Sequence, residues 1–387
     1  MKFKLKKTFD IKNYFIITIL SVLLSIYLFE YYLTHKKNKN IIENYKVNFL
    51  KKKYNKEFDR RKLYEIYNDL TKDNQDFAIT VYPRYFLKIK NLDFLPLSGI
   101  SNINTINCNE NGYYSINKSD RYGFNNPDEE WDRKNIEYVL IGDSYGHGAC
   151  VNRPNDIGSQ LREISNKSVI NLSYTANGPL LEYATLREYF KPNFKKLIWL
   201  YYEGNDLDDL SYELNIPLLK NYLIDENFSQ NLYSNQNKID KFLEKEINSI
   251  LNYKKKLDKK DVLKYKILKF LRLNNTKKIL RKKSFVDTKN LEEILIKVKK
   301  MSIENNVKFY FVYLPDYYRY KNEEKYNENY KNIKKMVNKL NLNFIDIHQD
   351  LFAKKEEPLS LFPFKLPGHF NKKAYTDISE ILYQFTK

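Results

Sequence analysis

IEYVLIGDSYGHGACV, residues 136–151, opens as a short apolar run and breaks at Gly142 into a Gly-Asp-Ser-Tyr-Gly turn. A run of six apolar-rich residues bounded by glycine predicts a buried strand. The residues after it predict a tight strand-to-helix turn that exposes the Ser144 hydroxyl. Helical spacing follows over 155–166, with Ile157, Leu161 and Ile164 on one face. Further strands are predicted at Val169–Leu172, Leu197–Tyr202, Val307–Leu314 and Phe344–Ile347. Helices are predicted over 179–190, 289–305, 328–340 and 373–386. Strands alternating with helices of ten or more residues imply a mostly parallel sheet with helices on both faces. The expected fold class is α/β, a three-layer α/β/α arrangement on a flavodoxin-like five-stranded sheet. In such sheets ligands bind at the carboxyl ends of strands.

The chain has 387 residues and a formal charge of +19, 42% hydrophobic and 16% aromatic, so wholesale disorder is excluded. The charge is concentrated. Residues 1–12 carry a net +4 and residues 254–283 a net +12, leaving the rest nearly neutral. A chain-wide nucleic-acid surface is therefore not implied.

Tyr14–Phe29 reads YFIITILSVLLSIYLF, without charge, and is followed by Glu30. A helix from about 12 to 33 is long enough to cross a hydrocarbon core. Aromatic residues gather towards its ends, as in interface belts. No small-x-small cleavage site follows, so an uncleaved single-pass anchor is expected. The short basic N-terminal side places that end in the cytoplasm by the positive-inside bias, and the rest on the extracytoplasmic face of the cytoplasmic membrane. The expected order is a basic N-terminus (1–13), an anchor (14–33), a polar stalk (34–75) and one α/β domain (76–387). That domain holds a basic helical insertion at 207–286, where Leu263, Ile267, Phe270 and Leu271 form a stripe. The insertion reads as a cap over the site, as a surface for anionic lipid or glycan, or as a solvated helix pair. Cys108 and Cys150 permit one disulfide in an oxidising compartment.

Four strand ends and loops carry suggestive residues. They are Gly142-Asp143-Ser144, Gly178 before Pro179, Gly204-Asn205-Asp206, and His369 in a loop before the last helix. Each alone is ordinary turn punctuation or a loop histidine. Their order along the chain resembles the SGNH/GDSL hydrolase superfamily, over roughly 135–206 and 307–387. A closer similarity is to membrane-anchored bacterial members, carried by GDSYGHGACV and by RYGFNNP (Arg121–Pro127) upstream.

The resemblance implies Ser144 as nucleophile and His369 as its base. It implies an oxyanion hole from the N–H groups of Ser144 and Gly178 and the Asn205 side chain, with no metal or organic cofactor. The family's acid three residues before the histidine is replaced here by Leu366. Asp350, Asp206 or a backbone carbonyl could orient His369 instead, or the site is a Ser–His dyad. The expected activity is hydrolysis of acyl esters, acetyl above all, on cell-envelope or exported glycans. O-acetyl transfer to the same glycans is the alternative. Lipid esters, a non-catalytic glycan-binding role favoured by Leu366, and a cytoplasmic orientation facing phospholipid are the rivals. The oligomeric state is not read from the sequence, nor is any nucleic-acid partner.

Overall fold

The computed structural model describes residues 11–387 apart from 37–38, 74–75, 88, 90–91, 260, 281–287 and 322–323. Most of the basic N-terminus (1–13) and the end of the basic run at 281–283 lie outside the described residues. The chain divides into two compact units. The smaller holds residues up to Asn55 together with 252–285; the larger holds 56–251 and 286–387.

In the smaller unit one helix runs from Ile11 to Lys36, and its stretch Asn13–His35 is long and apolar enough to cross a membrane. A second helix covers Lys39–Tyr54. The basic helices Asp261–Leu271 and Asn274–Leu280 belong to this unit.

Among the described residues, the larger unit contains two sheets. The strands β1 (Phe77–Ile79), β2 (Asn104–Ile106) and β3 (Ile116–Lys118) form a small sheet, with β1–β2 parallel and β2–β3 antiparallel. The main sheet is built from β4 (Ile136–Gly142), β5 (Val169–Asn171), β6 (Phe194–Tyr202), β7 (Lys308–Leu314) and β8 (Asn343–Asp346). Their order is β5-β4-β6-β7-β8 and every pair is parallel. Counted within this sheet the order is 2-1-3-4-5, so the expected flavodoxin-like arrangement is the observed one.

The strands read as unbroken apolar runs because both faces are covered. Along β6, Leu197, Trp199 and Tyr201 join one hydrophobic core, while Ile198, Leu200 and Tyr202 join the other. On β7, Phe309, Phe311 and Tyr313 alternate with Tyr310, Val312 and Leu314 in the same way. This is the two-residue period of a strand, with apolar residues on both sides.

Two expectations need correction. The fifth strand ends at Asp346 rather than Ile347, because the Asp346 carboxylate accepts the Gln349 N–H (3.2 Å) and starts a helical turn there. The stretch 207–286 is not one inserted element. Leu207, Leu210, Leu219, Tyr222, Leu232, Ile239 and Leu243 are buried in the core of the larger unit. From Asn252 the chain belongs to the smaller unit. The first half is thus buried in the larger unit, and the second belongs with the apolar helix in the smaller. The expected stalk (34–75) also divides, with its residues from Lys56 onward in the larger unit.

Candidate active site

The site lies where the strand order reverses. β4 pairs with both β5 and β6, and its terminal Gly142 stands opposite Leu200. Crevices at such reversals, at the carboxyl ends of strands, are where open α/β sheets place their chemistry. β4 delivers Ser144 there and β6 delivers Asn205.

Ser144 begins a short helix, Ser144–His147, and Asp143 caps it by accepting the Tyr145 N–H at 2.8 Å. Burial pushes the Asp143 carboxyl up to about 7, against the pull of that N–H. The helix ends at Gly148, which adopts φ +76; a Cβ there would meet the Asp156 Cβ at 2.3 Å. The turn is thus closed by a residue only glycine supplies cheaply.

His369 comes from the loop before the helix Lys372–Thr386. Its Nε2 lies 2.8 Å from the Ser144 Oγ. On the other side of the ring, Nδ1 lies 3.2 Å from Glu110 Oε1. The backbone N–H of His369 also donates to Glu110 Oε2, at 2.6 Å. One carboxylate therefore holds the imidazole and the loop that carries it. Burial alone would lower the His369 pKa, but Glu110 and the charge of Asp143 outweigh it, and the net shift is upward.

Glu110 was not among the residues singled out in the sequence. Neither expected acid takes this place. Asp206 is buried and accepts the Tyr202 N–H at 2.7 Å, while Asp350 pairs with Lys354 at 3.8 Å. The signal that could have found Glu110 is local: it stands two residues from Cys108, in the loop between β2 and β3.

Cys108 and Cys150 are joined as a disulfide. This ties the Glu110 loop to the segment that follows Ser144. Cys150 Sγ also lies 3.6 Å from His369 Nδ1, and the Asn111 amide donates to the Cys150 carbonyl (2.8 Å). Both sulfurs and His369 come within 4.8 Å of one another. The sulfurs are bonded to each other, so they offer no thiolates to a metal.

A tyrosine brace fixes the histidine loop from the opposite side. The Tyr145 ring stacks on Tyr202 with centroids 3.7 Å apart and lies 4.8 Å from the His369 ring. Its hydroxyl contacts the Gly368 carbonyl (3.0 Å) and the Tyr202 hydroxyl (2.7 Å). Tyr202 in turn donates to Asp316 (2.8 Å).

The expected oxyanion donors fare differently. Gly178 donates its N–H to Glu213 Oε1 at 2.6 Å. The same buried carboxylate accepts from Leu180 and Leu181, so it caps the helix Pro179–Tyr189. Gly178 is therefore committed to the helix start, whose free N–H groups need such a partner. Asn205 gives one amide proton to Asp209 Oδ2 (2.6 Å), and Asp209 is paired with Arg84. The Asn205 side chain also hydrogen-bonds Asp143, so its amide lies between two carboxylates beside Ser144. Ser144 N–H, at the first position of its helix, precedes the first intrahelical bond.

Upstream, the Arg121–Pro127 segment has a structural function. Buried Asp120 accepts from Tyr122 N, Phe124 N, Asn126 Nδ2 and Trp131 Nε1, at 2.7–3.0 Å.

No protein-family model and no curated protein matches the chain. Solved structures give remote similarities. One is a protein described as lipolytic, of the G-D-S-L family, from Desulfitobacterium hafniense DCB-2. It is 12% identical, covers 65% of this chain and 99% of its own, and has a TM-score of 0.36. A psychrotrophic esterase from Pseudoalteromonas sp. is 12% identical (64% and 95% covered, TM-score 0.31). A lipase from a goat rumen metagenome is also 12% identical (65% and 97%, TM-score 0.31). Similarity this distant leaves the functional reading to the geometry.

Proposed function

We propose that the larger unit is a serine ester hydrolase in which Ser144, His369 and Glu110 act as nucleophile, base and orienting acid. The arrangement Ser144 Oγ–His369 Nε2 at 2.8 Å with Glu110 on Nδ1 carries this reading. His369 takes the Ser144 proton as Oγ attacks the ester carbonyl. The oxyanion forms against the Ser144 N–H and the Asn205 amide, which exchanges its bond to Asp143 for the developing charge. Collapse expels the alcohol, which leaves with the proton from Nε2. Water then repeats the sequence on the acyl-enzyme and regenerates Ser144. A sugar hydroxyl in place of that water would make the same acyl-enzyme a transferase. Glu110 supplies what Leu366 withholds, and the non-catalytic reading loses its main support.

The substrate class we infer is an acyl, chiefly acetyl, ester of a cell-envelope or exported glycan. The support is an N-terminal helix long and apolar enough to cross a membrane, which this reading takes as an anchor in the cytoplasmic membrane, and the Cys108–Cys150 bond, which suits an oxidising face. The test is labelling of the full chain with a fluorophosphonate, beside Ser144→Ala and His369→Ala, followed by turnover of acetylated oligosaccharides. Labelling lost in both variants is the expected result. An unlabelled, folded parent protein overturns the reading.

A further inference from the structure

The smaller unit buries one acid that the hydrolytic chemistry does not use. Glu30 follows the uncharged run of the apolar helix and is fully shielded from solvent. Its carboxylate accepts four hydrogen bonds from residues some 245 positions away. Oε1 takes the Asn275 N–H (3.0 Å) and its side-chain amide (2.9 Å). Oε2 takes the Thr276 N–H and hydroxyl, both at 2.7 Å. The Asn275 amide also reaches Thr34 Oγ1 (3.2 Å). One turn earlier the Tyr27 hydroxyl donates to the Leu271 carbonyl (3.1 Å), and its ring meets Phe270 at 5.6 Å. A carboxylate at the end of an apolar span is costly unless it is paired. Here the start of the helix Asn274–Leu280 satisfies it.

This pin fixes the height of the basic hairpin 264–277. It is fastened to Tyr27–Thr34, the turns where the apolar span Asn13–His35 ends. The hairpin leaves Tyr265 63%, Ile267 50%, Leu268 40% and Leu271 54% exposed. Between and beside them stand the exposed cations Lys264, Lys266, Lys269, Arg272 and Lys277. No acid lies between Val262 and Leu291 except Asp287. Large apolar side chains mixed with Lys and Arg at the level of the headgroups are the composition of an interfacial helix. In water the same surface would leave four large apolar side chains unpartnered.

We propose that the hairpin 264–277 is a lipid-binding element, held by Glu30 against the end of the anchor and seated among anionic phospholipid headgroups. The inference rests on the anchor reading and adds a ligand, anionic lipid, to it. Each Lys or Arg near an anionic surface contributes about fivefold in occupancy.

The test uses the full chain in vesicles of phosphatidylcholine, alone or mixed with phosphatidylglycerol. The two native cysteines are disulfide-bonded, so an added one labels selectively. Leu268→Cys carries an environment-sensitive NBD probe, and Leu20→Cys carries the same probe as a control for the anchor. The expected result is a blue-shifted Leu268 probe, protected from iodide and quenched by shallow nitroxide lipids, only where phosphatidylglycerol is present. Adding Lys264→Glu, Lys266→Glu and Lys269→Glu should abolish that protection, and Glu30→Ala should reduce it by releasing the pin. A Leu268 probe open to iodide in anionic vesicles, with the Leu20 probe deep, overturns the inference and leaves the anchor standing. A Leu20 probe in water overturns both. Protection that ignores lipid charge and grows with protein density would mean a second copy covers the face, and also overturns the inference.

Discussion

Replacing Glu110 with glutamine should harm the enzyme more than removing the side chain. Glu110 meets two groups of His369: the backbone N–H at 2.6 Å and Nδ1 at 3.2 Å. The backbone N–H can only donate, so it keeps the oxygen of a glutamine amide. The amide NH2 then faces Nδ1, which must accept. The imidazole proton is forced onto Nε2, the atom 2.8 Å from Ser144 Oγ that has to receive the serine proton. The wrong tautomer costs roughly 10³–10⁴ in kcat, about 4–5.5 kcal/mol of barrier, by analogy with the serine-protease case. Glu110→Ala leaves both groups to water and lets the tautomers equilibrate, so its loss should be smaller, roughly 10²-fold in the range of one catalytic proton-transfer contribution. KM should change little in either. The assay is kcat and KM on a chromogenic acetyl ester across pH. Because the Glu110 charge raises the His369 pKa, the acid limb of kcat/KM in the parent should lie above the ordinary histidine value. Activity needs neutral His369 and so rises with pH through that limb; in Glu110→Ala the limb should move to lower pH. If Glu110→Gln stays within about threefold of the parent while Asp206→Asn or Asp350→Asn collapses, the assignment of the orienting acid is wrong.

Other outcomes follow from the same geometry. Gly368→Ala would put a Cβ 2.6 Å from Glu110 Oε2, so the carboxylate must move; kcat should fall by about 10-fold or more with little loss of melting temperature, read by kinetics beside calorimetry. Asn205→Ala removes an oxyanion donor and should cost about 10²–10³ in kcat. Gly178 is committed to Glu213, so Glu213→Ala should lower thermal stability through the lost helix cap, by about 1–2 kcal/mol or more, measured by denaturant titration. Treatment with dithiothreitol, or Cys108→Ser with Cys150→Ser, should free the Glu110 loop and reproduce the kinetic and pH signature of Glu110→Ala; unchanged kcat in a verified reduced protein would contradict the proposed hold.

The main sheet was legible because each of its strands is buried on both faces and reads as a continuous apolar run. Ser144 and His369, which the structure brings within 2.8 Å, could be singled out because glycine, turn and histidine each fall at a strand end or a late loop. The acid was not legible. Glu110 sits in a loop of a second, short-stranded sheet, and nothing in its spacing from His369, 259 residues away, announces the contact. The Gly178 error has a similar root: sequence shows a glycine at a helix start but not which carboxylate, Glu213 in this case, folds back to take its N–H. The division of 207–286 was hidden because Leu207–Leu251 and the basic run after it share a helical pattern, while only tertiary packing separates them.

The disulfide beside His369 also sets a schedule for the protein. Cys108 and Cys150 are 42 residues apart, one on each of the two segments that bring acid and nucleophile together. On the proposed function, a chain still in a thiol-rich compartment would hold these segments by weaker contacts, and the hydrolase would be born latent. Its competence would then be acquired on oxidation, and the place where the bond closes would become the place where esters are cut. Acyl esters met before that point would be spared by the state of this one bond.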